Sequence, residues 1–409
     1  MTKPSRFPGW FVAWTAFTIA VFAWGVGFYG PSVFLQFLNA THAWSIATVS
    51  SAITLHFLLS AAIIVYLPEL HERLGIAATT VAGAVLAAAG LFTWSGAWQP
   101  WQLFAAAVFS GAGWAATSGA ALNAMIAPWF DRERPKALSL AFNGASVGGI
   151  VFVPMWITLI GRFGFPIAAN VVGLSMIAVV SALAFRFLRH GPSDFGLRPA
   201  GATVASGRKK AAPTLSRFAM LRDRRFATLS TAFALGLFAQ IGLFAHLIVQ
   251  MSPTLGTDGA GAAVSAATVC AVIGRTVVAA WLGDHDRRVA AALNFAVQAA
   301  GVCLLAFGAG PIALWAGCAL FGLGVGNLTT LPPLIAQQEF GQGDVGQVVA
   351  LVIAINQAAF AFAPAIFGAL REATAGYTAP FLLAATLQIC AALIIVAGRS
   401  RLLASLPRA

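Results

Sequence analysis

Apolar residues in this chain neither alternate nor line one side of each segment. They fill long runs that are apolar all round, separated by short polar turns. Crossing the hydrocarbon core of a bilayer takes about 20 residues of helix. Twelve runs reach that length: 10–37, 45–67, 76–95, 102–127, 136–160, 165–188, 226–250, 262–283, 288–309, 312–335, 347–370 and 379–398. In lipid only a helix or a closed barrel satisfies every backbone N–H and C=O without water. Uninterrupted runs of this length predict helices, so the expected fold class is all-α: a polytopic membrane protein with twelve transmembrane helices. Pro154, Pro332-Pro333 and Pro364 fall inside runs and predict kinks. Gly111-Ala112-Gly113, Gly144 with Gly148-Gly149, and Gly322, Gly324 and Gly326 predict close helix approach.

Most connections are short. The exception follows the sixth run and carries Pro, Gly, Ser and the Arg208-Lys209-Lys210 cluster. It divides the chain into an N-terminal bundle (1–190), a linker loop (191–224) and a C-terminal bundle (225–409), six helices in each bundle. Lys and Arg fix the expected orientation. With both termini in the cytoplasm, 21 basic residues lie on that side and only Arg162 and Arg371 on the other. Trp44, Trp94, Trp98 and Trp101 are expected at the outer membrane edge.

Composition agrees, with 59% hydrophobic and 9% charged residues and a mean hydropathy of +0.85; soluble domains carry about 25% charge. The first run is too long for a signal-peptide core. The net charge of +12 is scattered over loops beside the runs, which points to membrane lipid as a partner and away from nucleic acid. Cys270, Cys303, Cys318 and Cys390 all lie within apolar runs without metal-type spacing, so no disulfide, metal or cofactor is expected. The localisation expected is a bacterial-type inner (plasma) membrane, and the chain is expected to act as a monomer.

One charge does not fit a loop. Arg275 sits near the middle of the eighth run. A cation at that depth costs roughly 2.5–3.5 kcal/mol on insertion scales, and such a residue normally faces a cavity or a partner. No carboxylate of the sequence falls at membrane depth, so a substrate anion is the expected partner. A guanidinium binds a carboxylate through two parallel hydrogen bonds and stays charged at any working pH. The alternative is an arginine bonded to helix carbonyls or snorkelling to an interface. His56, mid-run, is a candidate for a hydrogen bond to substrate or for proton relay; a neutral histidine packed between helices is the alternative. Tyr29, Trp24 and Trp114 are candidate aromatic cavity surface. Gln240 is a candidate donor to a carboxylate, and Asn327, Asn356 and Gln357 are buried amides that need partners. His246 lies nearer the outer end of its run.

The turns Pro68-Glu69-Leu70-His71-Glu72-Arg73-Leu74-Gly75 and Gly283-Asp284-His285-Asp286-Arg287-Arg288 follow the second and eighth runs. They resemble degenerate copies of the inter-helix motif of the major facilitator superfamily, glycine–acid–basic–glycine. Pro68 replaces the leading glycine, and Ala77-Ala78 stand where that family has arginines. The resemblance assigns Glu72, Arg73, Asp284 and Arg287 to gating turns and implies the major facilitator fold. Pro192-Ser193-Asp194-Phe195-Gly196-Leu197-Arg198-Pro199 is similar to the run after helix 6 in the monocarboxylate and oxalate/formate branch. So are Tyr29-Gly30-Pro31-Ser32-Val33-Phe34, Trp44-Ser45, and Trp129-Phe130 with Arg132 and Arg134. That branch carries a substrate-contacting arginine on helix 8, which Gly274-Arg275 matches by position. Ala271 stands where monocarboxylate carriers commonly have an acid, and Asn356 and Gln357 stand where oxalate carriers have a second cation, so a monoanion fits better than a dianion.

The function expected is secondary active transport of a small organic anion, a monocarboxylate above all, between the two halves by alternating access, with the proton as candidate coupling ion. Export of amphipathic drugs or metabolites is the alternative. No catalytic cluster or phosphate-binding loop is present, so neither an enzyme nor an ATP-driven pump is expected.

Overall fold

The computed structural model describes residues 7–42, 44, 46–200, 215–283 and 285–399. It is nearly all helix; a single isolated β-bridge, Phe130 to Ala200, is the only strand pairing among the described residues. Eleven helices are long and apolar enough to cross a membrane, and a twelfth span is the bent pair Thr48–Ile64 and Leu67–Leu74, turned by 61°. The spans follow the apolar runs closely. Span 1 begins with helix Gly9–Gly27, span 3 is Ile76–Ser95, span 4 Trp101–Ile126, span 5 Arg134–Phe163 and span 6 Phe165–Phe187. Spans 7 to 12 are Arg224–Gly256, Gly259–Leu282, Arg287–Phe307, Gly310–Glu339, Val345–Thr374 and Thr378–Ala397.

The breaks differ from those the prolines predicted. Pro154 lies inside an unbroken helix, Arg134–Phe163, as membrane spans tolerate when other groups satisfy the freed carbonyl. Span 10 breaks at Gly326, upstream of Pro332-Pro333. Span 4 breaks at Ser118, and only span 11 breaks beside its proline, ahead of Ala363-Pro364. The first run is two helices, Gly9–Gly27 and Gly30–His42, parted at Phe28-Tyr29. Pro31 has no N–H to continue the first helix, and the Trp156 indole N–H occupies the Gly25 carbonyl at 3.0 Å.

The chain forms two compact units, Met1–Lys209 and Lys210–Ala409, with the division inside the linker. The first part of the linker belongs to the N-terminal unit. Pro192–Phe195 forms a 3-10 turn whose Asp194 carboxylate accepts the Gly191 N–H at 2.8 Å. Phe195 then packs on Trp129, the Ala200 N–H donates to the Trp129 carbonyl at 2.8 Å, and the Asp131 N–H donates to the Ala200 carbonyl at 3.0 Å. Two separate motif runs of the sequence thus become one clasp.

Each unit packs its spans through small residues, as membrane helices do when dispersion rather than water exclusion drives contact. A Cβ on Gly111 would stand 2.6 Å from the His56 carbonyl oxygen, and one on Gly322 would stand 2.4 Å from the Ala267 carbonyl oxygen. Gly113 meets Ala87 as Gly324 meets Gln298, and Gly90 meets Ser110 as Gly301 meets Phe321. Every residue in these pairs is related to its counterpart by the same shift of 211 positions, which is the internal repeat that the charged turns hinted at.

The repeat exposes a chemical asymmetry. Ala77, Gly83, Ala87 and Ala116 of the N-terminal unit correspond to Arg288, Asn294, Gln298 and Asn327 of the C-terminal unit. Asn327 donates to the Asn294 side chain at 2.9 Å, where Gly83 and Ala116 make a bare small-residue contact. Arg288, 2% exposed, pairs with both oxygens of Glu339 (Nη2 to Oε2, 2.8 Å) and donates to Thr228 and to the carbonyls of Arg225 and Ile395. One guanidinium therefore ties spans 7, 9, 10 and 12 at one end of the C-terminal unit.

Candidate functional site

In the N-terminal unit, four sequence candidates come together: Trp24, Tyr29, His56 and Trp114. Trp114 packs edge-on against Trp24 (4.9 Å between ring centroids), stacks on Phe28 (6.2 Å) and lies 6.3 Å from the His56 ring. Tyr29 joins through Phe28 at 5.1 Å, at the parting of the two span 1 helices. Its ring lies over Gly149 of span 5, where a Cβ would meet it at 2.6 Å. His56 is buried, and its Nδ1 is hydrogen-bonded to the Ser110 hydroxyl at 2.8 Å. The Trp94 indole N–H donates to the same hydroxyl at 3.3 Å. A cavity of about 10 Å³ beside them, lined by Gly27, Ala87, Ser110, Trp114, Thr117 and Met176, has room for about one water. The polar groups around His56 include the Ser110 hydroxyl, which the Trp94 indole also bonds, and the backbone of Gly27.

Trp94, at the end of span 3, is 2% exposed and bonded inside the bundle, whereas Trp98 and Trp101 are 69% and 62% exposed. An indole anchors at an interface only if its ring reaches the headgroups; the Ser110 hydroxyl gives Trp94 an interior partner.

In the C-terminal unit, Arg275 is placed by a close helix crossing. A Cβ on Gly274 would stand 1.9 Å from the Leu323 carbonyl oxygen, so spans 8 and 10 touch backbone to backbone there. The next residue, Arg275, is 4% exposed and donates its Nε–H to the Gly326 carbonyl at 3.0 Å. That carbonyl sits at the break of span 10. A Cβ on Gly326 would lie 2.9 Å from both Nε and Nη2 of Arg275 and 2.5 Å from the Ala271 carbonyl oxygen. Gly326 therefore leaves the space that the guanidinium fills. The structure includes the carbonyl contact named above as the alternative for Arg275, and that contact orients the plane of the group.

Gln240 on span 7 and Asn356 on span 11 are buried, and each has a side-chain oxygen with no hydrogen-bond partner. The two ends of an amide are nearly the same shape, so a half-turn about the last bond presents an N–H₂ group at the same place. Asn327 spends its amide on Asn294 and Leu323. His246 bridges spans 7, 11 and 12 through the Pro364 carbonyl (3.2 Å) and the Tyr377 hydroxyl (3.4 Å).

Of the gating candidates, Glu72 and Arg73 are exposed on the bent helix Leu67–Leu74, and neither forms an ion pair among the described residues. Arg287 donates to the Leu334 carbonyl and to Gln337 (3.4 Å), joining spans 9 and 10 within one unit. Asp284, like Ser45 and the Arg208-Lys209-Lys210 cluster, lies outside the described residues. Sequence reading missed Ser110, Gly274 and Gly326 as placers of His56 and Arg275. Glycines in apolar runs signal close approach without saying which side chain profits.

Comparison with known proteins adds a family. Residues 15–364 match the profile described as Major Facilitator Superfamily. Human monocarboxylate transporter 11 is 27% identical over 343 residues, covering 80% of this chain and 69% of that one. The solved fucose:proton symporter FucP of E. coli superposes with a TM-score of 0.71 at 15% identity, covering 95% of this chain and 99% of that one. The human organic anion transporter TETRAN superposes with a TM-score of 0.70 at 14% identity, covering 96% and 100%. At these identities the structural likeness speaks for the fold.

Proposed function

The chain belongs to the Major Facilitator Superfamily, and from that premise we propose that this membrane transporter carries a small organic monoanion, with a monocarboxylate as substrate class and Arg275 as its charged contact. The observation that carries the reading is a guanidinium 4% exposed inside span 8, about two turns from its Leu282 end, oriented by the Gly326 carbonyl. All twelve carboxylates of the sequence lie in turns or at span ends, so the fixed charge at depth is positive. Low polarity strengthens attraction to an anion. The guanidinium geometry favours a planar two-oxygen group such as a carboxylate. The name of the monocarboxylate relative supports the same class.

Gln240 and Asn356 serve as neutral amide contacts, and Tyr29, His56 and Trp114 as the aromatic and imidazole surface of the N-terminal unit. Glu72, Arg73, Asp284 and Arg287 gate the turns where they stand. Transport proceeds by alternating access across a bacterial-type inner membrane, with both termini cytoplasmic, a reading that the basic asymmetry supports. Proton symport is the coupling mode to test first.

The experiment is uptake of a panel of radiolabelled short organic acids into vesicles holding the purified protein, with and without an imposed proton gradient. Wild type accumulates at least one monocarboxylate, and Arg275→Ala does not. Equal uptake by Arg275→Ala removes the assignment of this residue. Uptake of neutral solutes alone removes the anion class.

A further inference from the structure

Between the linker and span 7 lies a short helix, Arg217–Arg222, that the transport reading does not use. It is firmly seated on the C-terminal unit. The Ser216 hydroxyl accepts the Ala219 N–H at 3.2 Å, and the Leu215 N–H donates to the Asp344 carboxylate at 3.1 Å. Met220 is fully buried on its inner side. The opposite side is apolar and uncovered: Phe218 is 63% exposed and Leu221 47%. Residues three and four apart share a helix face, so Phe218, Leu221 and Arg222 form one outward surface. The Arg222 guanidinium stands 4.2 Å over the Phe218 ring.

The chain itself places this face. Only Asp223 separates the helix from the start of span 7. At the same end Arg224 donates to the carbonyl of Ala397, the last residue of span 12, at 3.1 Å. The helix is therefore held where two spans leave the hydrocarbon, at headgroup level. Its charge there is one-sided. Four arginines, Arg217, Arg222, Arg224 and Arg225, stand near two acids: Asp223, which Arg225 engages at 2.8 Å, and the buried Asp344. Aromatic and aliphatic side chains facing out, with arginines between them, are what an anionic membrane surface takes up.

We propose that the Phe218–Leu221–Arg222 face is an interfacial anchor that binds anionic phospholipid headgroups, with Arg222 and Arg224 as the phosphate contacts. The Phe218 ring and Leu221 enter the acyl boundary, and the guanidinium groups stay at phosphate depth.

The test uses the full chain in lipid nanodiscs. Phe218→Cys, in a background with Cys270, Cys303, Cys318 and Cys390 replaced by serine, is labelled with bimane. Doxyl-labelled phosphatidylcholine should quench it, and aqueous iodide should not. Native mass spectrometry of the unlabelled protein reads headgroup preference independently of that variant. Phosphatidylglycerol should be retained over phosphatidylcholine, with about a fivefold loss for each of Arg222→Gln and Arg224→Gln, the effect of one basic residue near an anionic surface. Three outcomes overturn the proposal: quenching by iodide alone, protection from both quenchers (a protein surface covers the face), or displacement of phosphatidylglycerol by inorganic phosphate without loss of doxyl quenching (a free-anion site). Each outcome is independent of whether Arg275 binds substrate.

Discussion

Arg275 shows how a single side chain acquires a role through residues that have almost none of their own. Gly274 lets the backbones of spans 8 and 10 meet, and Gly326 leaves the volume that the guanidinium occupies. Gly326→Ala would press a methyl against Nε and Nη2 and against the Ala271 carbonyl. If the substrate is the proposed anion, the substitution should lower the apparent affinity about tenfold, the loss of about one charge-assisted hydrogen bond, measured as initial uptake against substrate concentration. Arg275→Lys keeps the charge but loses the planar fork; it should bind the anion more weakly than wild type and discriminate less between carboxylates and other anions. Asp223 is a second residue with a definite expectation. The Arg225 side chain hydrogen-bonded to it holds its carboxylate below the usual range. A depressed value means that the pair contributes stability above the unfolded value of about 3.9 and loses it as pH falls through the folded one. Thermal unfolding of wild type in detergent should therefore weaken on acidification below about pH 4, and Asp223→Asn should show a smaller drop. An equal drop in both would mean that other groups carry the acid sensitivity.

Among elements, the ends of spans 7, 9, 10 and 12 behave as one piece because Arg288 and Glu339 bind each other while buried. Removing one partner of such a pair leaves an uncompensated charge and costs about 3–5 kcal/mol. Glu339→Gln should accordingly lower the thermal transition of the purified protein sharply. Adding Arg288→Met should recover most of the loss, since it removes the stranded charge. Failure of the second change to restore stability would show that the hydrogen bonds from Arg288 to Thr228 and the two carbonyls matter more than the pair. The helices themselves were plain in the apolar runs. Their breaks were not, because a proline in a membrane span need not end the helix: Pro154 leaves its helix continuous, while spans 4 and 10 break at Ser118 and Gly326.

At the scale of the molecule, the division falls in the linker, and the clasp of Trp129 to Ala200 keeps the first part of that linker with the N-terminal unit. The Ser110 hydrogen bonds lie within the first unit and the Arg288 hydrogen bonds within the second. Chains cut between Lys209 and Lys210 and co-expressed as two pieces should therefore copurify and retain measurable uptake. A cut between Phe195 and Gly196, which severs the clasp, should retain less; equal uptake by both split forms would deny the clasp any structural weight.

Long apolar runs and the placement of Lys and Arg were enough to determine that this chain is a helical membrane protein of twelve spans in two halves, because bilayer thickness and backbone hydrogen bonding leave no other solution for such runs. The buried guanidinium of Arg275 was also legible, since a charge in an apolar run stands out whatever surrounds it. Which side chains meet was decided only in three dimensions. Ser110 beside His56, Gly326 beside Arg275 and Asn294 beside Asn327 pair residues far apart in sequence. Those pairings follow from the crossing points of helices, and small residues set those points by allowing contact without naming the partner.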